Sequence, residues 1–243
     1  DESTILGADC KAGNTIILEA LESVLEDNKK HLPLEIVLTL GEETGLLGSI
    51  NLDYSKITAK RGVTFDGDDE VNKITISGPG YNRVDLTITG IGAHAGVEPE
   101  KGLSAIKIAA EIINELQVGR IDHETTANIG LIEGGSARNA VPETVHIKAE
   151  IRSRDLKKLE EHSQHFQQVI DKVILKHPEA KYSLDLHREF DPYRLEENHS
   201  VIKLVTSKLK ELNLTPHLED SGGGTDVNIF QLNGIEAVAV GAA

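Results

Sequence analysis

Three groups of acids stand where a folded chain could use them for chemistry. Asp9 lies in Gly7-Ala8-Asp9-Cys10-Lys11-Ala12-Gly13, Glu42 and Glu43 in Gly41-Glu42-Glu43-Thr44-Gly45, and Asp66 in Phe65-Asp66-Gly67. Zinc and the hard divalent cations all accept carboxylate oxygens, and a two-metal site needs one bridging carboxylate with terminal ligands on each ion. Taken singly, no group is specific, because charged residues are mostly exposed and Asp-Gly is an ordinary turn signal. Their convergence on one sheet edge is what would make them a site. The run Gly222-Gly223-Gly224-Thr225 is either a flexible turn or, before a helix, a cradle of bare backbone N–H groups for an anion such as a carboxylate. His162 and His165 stand three apart on one helical face without further ligands near them in sequence, and read as a solvated face.

The elements that must position these groups follow from apolar periodicity. Ile16, Ile17, Ala20, Leu21, Val24 and Leu25 recur at three and four, which predicts a helix from Ala12 to Leu25. Leu34 to Leu40 and Gly62 to Phe65 read as buried strands. Strands alternating with helices predict an α/β unit, a mostly parallel sheet with helices on both faces, whose ligands gather beyond the carboxyl ends of the strands. Near Lys73 the pattern changes. Val84, Leu86 and Ile88 alternate with polar residues, a helix is expected from Leu103 to Leu116 with Ile106, Ala109, Ala110 and Ile113 buried, and Ala127 to Ile132 is the next strand. Val145 to Ile151, a helix from about Asp155 to Leu175, and Tyr182 to Phe190 complete a β-α-β-β-α-β order. That order predicts a ferredoxin-like α+β domain over 73–190, inserted into a first domain formed by 1–72 and 191–243.

Bulk properties exclude some partners. A formal charge of −15 at pH 7 opposes nucleic acid and anionic membrane surfaces, and no apolar run approaches membrane-spanning length. Cys10 is the only cysteine, so no intrachain disulfide can form, and a cytoplasmic location is expected. The chain opens on Asp1 just before the Asp9 loop, and its natural start is expected to lie upstream.

Together the motifs resemble the two-metal peptidases that include peptidase T, carboxypeptidase G, aminoacylase and succinyl-diaminopimelate desuccinylase. The resemblance covers almost the whole chain. It is carried by the Asp9, Glu42-Glu43 and Asp66 motifs, Ala93-His94-Ala95-Gly96 followed by Pro99-Glu100-Lys101-Gly102, Gly134-Gly135, Asn139-Ala140-Val141-Pro142, Arg152, and Gly222-Gly223-Gly224-Thr225-Asp226. It implies two divalent ions, zinc with cobalt or manganese as substitutes, bridged by Asp9 and held terminally by Glu43 and Asp66. Glu42 is implied as the general base. His94, Asn139, Arg152, Gly223, Gly224 and Thr225 are implied as substrate-binding residues, with His94 acting in the partner subunit of a homodimer joined through the inserted domain. The implied substrate is a short peptide. Asp at position 66 favours an aminopeptidase of tripeptidase type over an N-acyl amino-acid hydrolase or carboxypeptidase on the same scaffold.

The departures are two absent motifs. The family supplies a His-x-Asp upstream of the bridging acid and a further His near its carboxyl end, and neither occurs in these residues. These residues by themselves are therefore expected to be inactive, and a non-catalytic peptide- or metal-binding relative stands as the alternative of another class. Cys10 occupies a place where relatives often carry another acid or Met, and reads as a small packing residue.

Overall fold

The computed structural model describes residues 9–28, 30–67 and 70–242. In chain order its elements begin with helix α1 (Lys11–Glu26), the short helix α2 (Leu47–Ile50), β1 (Arg61–Gly67) and β2 (Lys73–Gly78). They continue with β3 (Gly80–Thr89), β4 (Ala93–His94), α3 (Ala105–Glu115), β5 (Gly119–Arg120), β6 (Thr125–Gly134), β7 (Ala140–Val141), β8 (Thr144–Ser153), α4 (Leu156–Ile174) and β9 (Lys181–Phe190). The last are β10 (Tyr193–Arg194), α5 (Ser200–Glu211), β11 (His217–Asp220), α6 (Asp226–Leu232) and β12 (Glu236–Gly241). Two compact units result, one from the residues up to Gly78 and from Tyr193 onward, the other from Pro79–Pro192. The expected boundary at Lys73 thus moves to Pro79, because Lys73–Gly78 pairs with β12 and β11 of the first unit.

The sheet of the first unit runs β1-β12-β2-β10, with β11 also pairing β2. It is mixed: β1 with β12 and β11 with β2 are parallel, β12 and β10 with β2 antiparallel. Ile74, Ile76, Val238 and Val240 pack with Val201, Ile202 and Leu209 of α5, while Ala237, Ala239 and Val227 form a second cluster with Tyr193. Alternate residues of β12 therefore face different helices, which is the α/β layering that the sequence predicts.

One expected strand is not there. Residues 34 to 40 form no strand, and Leu34, Leu38 and Leu40 are exposed. A strand needs a hydrogen-bonded neighbour, and among the described residues β1 pairs only with β12. The segment is anchored instead through Glu35, whose carboxylate accepts from the N–H groups of Thr58 and Ala59 and from the Thr58 hydroxyl.

The second unit is an antiparallel sheet, β5-β6-β8-β3-β9, whose main strands and the helices α3 and α4 follow the ferredoxin-like order. Val84, Leu86 and Ile88 of β3 meet Val145, Ile147 and Ile151 of β8 under Ile108 and Ile112 of α3 and Phe166 and Ile170 of α4. The buried stripe of α3 is rotated from the expected one: Ile108 and Ile112 are in, Ile106 and Ala110 are out. Periodicity found the helix but not its phase, since apolar residues occur on both sides of it. His162 corrects a second expectation. It is 7% exposed, packs on Phe166, and its Nε2 lies 3.0 Å from the Gln117 carbonyl oxygen, while His165 Nε2 accepts from the Gln117 N–H. The pair clamps the backbone N–H and carbonyl of Gln117 rather than facing solvent.

No helix among the described residues is long and apolar enough to cross a membrane. The core of the second unit generates a stability prediction at Phe166, which is 1% exposed. Phe166→Ala should lower the unfolding free energy by about 3–5 kcal/mol through lost transfer and a residual cavity, measured by urea unfolding.

Candidate active site

The acids are brought together by local backbone geometry. Gly41 (φ +70) and Gly45 (φ +99) both lie in the left-handed region, on either side of a 3-10 turn over Glu42–Thr44. Glycine adopts that region without steric cost, so Gly-Glu-Glu-Thr-Gly folds into one tight turn that brings both glutamates to one cavity. Glu42 is half-buried and Glu43 exposed. Asp66 stands near the carboxyl end of β1, and Asp9 just ahead of α1. Gly13 lets α1 approach β1: a Cβ there would overlap the Phe65 carbonyl oxygen and sit 2.5 Å from Cys10 Sγ.

Asp9, Glu42, Glu43 and Asp66 line one cavity of about 610 Å³ in the first unit, together with Cys10 and Asp226. One ligand atom each from Asp9, Cys10 and Asp66 lies within 4.8 Å of the others. The Cys10 thiol donates to the Phe65 carbonyl oxygen at 2.6 Å. The electrostatics are those of crowded anions. Burial pushes the Glu42 carboxyl up to about 7, reinforced by the charges of Asp66, Asp226, Glu43 and Asp9. A hydrogen bond to Asp9, and the charge of Asp9, hold Glu43 above the usual range. Burial also raises Asp66 to about 6, with Asp9 adding to the shift and Cys10 opposing it. Burial raises the Cys10 thiol as well.

Asp226 is the residue that the reading of single motifs did not bring out, although it closes the glycine-rich motif. It is 7% exposed; its Oδ2 accepts from Thr39 at 2.5 Å, and its Oδ1 is buried without a hydrogen-bond partner. Crowded carboxylates with an orphaned buried oxygen fit a divalent cation, the group whose charge would relieve both conditions. Asp9, Asp66 and Glu43 are the acids that would hold it.

The remaining candidates divide. Gly223 donates its N–H to Ser221 Oγ, and Thr225 is the N-cap of α6, its hydroxyl accepting from Val227 and its N–H donating to Asn228 Oδ1. The N–H groups of Gly223 and Thr225 are therefore engaged inside the loop. In the second unit the β4–β7 pairing sets His94 opposite Ala140, and Ala95 N–H donates to the Asn139 carbonyl, so His94 and Asn139 are neighbours. His94 is exposed, and its Nδ1 accepts from the Gly96 N–H. Arg152 lies at the opposite end of β8 from β7, ion-paired with Glu150 at 3.1 Å and 5.0 Å over the Tyr81 ring.

Residues 76–178 match the family model described as a peptidase dimerisation domain. The Bacillus subtilis protein YqjE is 39% identical over 238 residues, 98% of this chain and 64% of that one. Peptidase T of Clostridium novyi is 29% identical over 231 residues, 93% of this chain and 56% of the relative. Among solved structures, the aminopeptidase PepT from Bacillus cereus aligns with a TM-score of 0.89 at 38% identity, and a tripeptidase from Staphylococcus aureus with 0.93 at 34%. Both alignments cover 99% of this chain and 64% of the other. The chain spans less than two thirds of the length of these relatives. An α/β unit with an inserted ferredoxin-like unit is the class of peptidase architecture that these structures share with it. Within that class, the chain is similar to the peptidase T-like proteins.

The close approach at Gly13 decides a substitution whose sign is otherwise opposite. Gly→Ala inside a helix ordinarily adds about 1 kcal/mol. Gly13→Ala should instead destabilise the first unit and loosen the cavity, because backbone on β1 must move to admit the methyl group. A thermal melt should show a lower midpoint for the variant than for the wild type.

Proposed function

We propose that the protein hydrolyses short peptides with a free amino terminus, as an aminopeptidase of tripeptidase type, at a site holding two divalent cations. The observation that carries this reading is the single cavity in which Asp9, Glu42, Glu43 and Asp66 converge, with the carboxyls of Glu42, Glu43 and Asp66 raised by burial and by neighbouring acids. Similarity to an aminopeptidase and a tripeptidase of known structure supports it.

Asp9 would bridge the ions, with Glu43 and Asp66 as terminal ligands and further ligands supplied by the rest of the protein. Bound zinc, or cobalt or manganese in its place, supplies Lewis acidity and lowers the pKa of water. Glu42, half-buried beside the exposed Glu43, accepts the proton of the attacking water and returns it to the leaving amine. A carboxyl raised towards neutrality suits both directions of that transfer. His94 and Asn139, side by side in the second unit, would contact the substrate carbonyl and its polar groups, and Arg152 its carboxylate. A reducing, cytoplasmic setting suits the lone Cys10.

The sheet of the second unit supports a homodimer formed through it. Among the described residues β6 is paired on its outer side only by two-residue β5, opposite Thr126 and Ala127, and Leu131 and Ile132 beyond them are exposed. Such an edge is a template for another chain, and the match to a peptidase dimerisation domain supports that use.

Glu42→Gln should lower turnover about a hundredfold or more with metal content retained, whereas Glu43→Gln should lose metal. Equal metal loss and equal kinetics in the two variants would refute the division of roles, and full turnover in excess chelator after dialysis would refute the metal mechanism. Mixing inactive Glu42→Gln protein with inactive His94→Ala protein should restore activity on subunit exchange. A mixture that stays inactive after tagged heterodimers are recovered would show that His94 does not serve the partner subunit.

A further inference from the structure

Within the cavity, Cys10 and Asp226 stand beside the acids of the mechanism above without a part in it. Cys10 precedes α1 directly, yet its side chain caps no helix N–H. Its sulfur lies instead against the end of β1, on the Phe65 carbonyl, in space that the missing Cβ of Gly13 leaves free. One oxygen each of Asp9 and Asp66 and the sulfur lie within 4.8 Å of one another. Three donors about 2.0–2.3 Å from a shared ion would have this mutual spacing. Asp226 is the independent observation. It lines the same cavity, more than nine-tenths buried, and its Oδ1 has no partner. A buried carboxylate oxygen without a donor calls for positive charge close by.

We propose that Cys10 is a metal ligand, giving the cation between Asp9 and Asp66 a mixed carboxylate and thiolate donor set that selects borderline and soft ions over manganese or magnesium. The inference rests on the metal-binding reading above and adds the sulfur to it. When the ion binds, the S–H bond breaks, a sulfur–metal bond forms, and the proton leaves to solvent. Nothing is oxidised or reduced. The competing role for Cys10 is packing alone, between Gly13 and Phe65.

Cobalt titration of the full-length protein separates the two, read by metal analysis and absorption spectroscopy. The wild type should show a near-ultraviolet sulfur-to-cobalt charge-transfer band. Cys10→Ser should lose that band while retaining cobalt, and Asp66→Asn should retain less cobalt than either. Cys10→Ser removes this sulfur alone, so loss of the band assigns it to Cys10. Cobalt bound by the wild type with only the visible bands of oxygen and nitrogen ligands, or a band unchanged in Cys10→Ser, would overturn the sulfur ligand and leave the carboxylate site standing. A wild type that retains no cobalt would overturn both.

Discussion

Repulsion among carboxylates in one cavity is the constraint that the first unit is organised around. Asp9, Glu42, Glu43, Asp66 and Asp226 arrive from separate stretches of chain, and no fold brings five acids together for stability's sake. Charges at such distances in a partly desolvated site cost free energy unless a proton or a cation offsets them. The raised carboxyls of Glu42 and Asp66 are the protonic form of that offset.

The backbone devices follow from this. Left-handed glycines at 41 and 45 compress the Glu42-Glu43 turn so that two adjacent side chains can take different tasks. Gly13 removes the side chain that would otherwise hold α1 away from β1. The parallel pairing of β1 with β12, from Arg61 opposite Glu236 to Gly67 opposite Gly241, fixes the strand end that carries Asp66. Thr39 holds Asp226 by one oxygen and leaves the other without a partner.

Much of this was legible from residue order, and the failures have physical causes. α4 was readable because a capping Asp155 precedes a long amphipathic stripe, and β3 and β8 because each alternates with one wet face. Leu34 to Leu40 was not, since apolar composition says that a segment can be buried but not that a neighbouring strand exists to pair it. His162 and the phase of α3 were misjudged for a related reason: which face of a helix is covered depends on what packs there, and Phe166 and Gln117 are distant or ambiguous in sequence. The acids were found, but the direction of the Cys10 sulfur and the burial of Asp226 are tertiary facts, set by Phe65 and Thr39.

The chain leaves the first unit at Gly78 and re-enters it at Tyr193, and these two residues are direct antiparallel partners, followed by Ser77 and Arg194. In the second unit Gly80 lies against Pro192 in the same way, too closely for a Cβ. Exit and return are thus already zipped together, so the closure entropy of the long excursion between them is borne by a pair that belongs to the sheet. Topologically the first unit is a sheet whose last hairpin has had its turn replaced by a whole domain. A turn of about two residues would close the same hairpin, which makes Gly78 and Tyr193 a natural splice point at which domains of other shapes can be exchanged without redrawing the sheet.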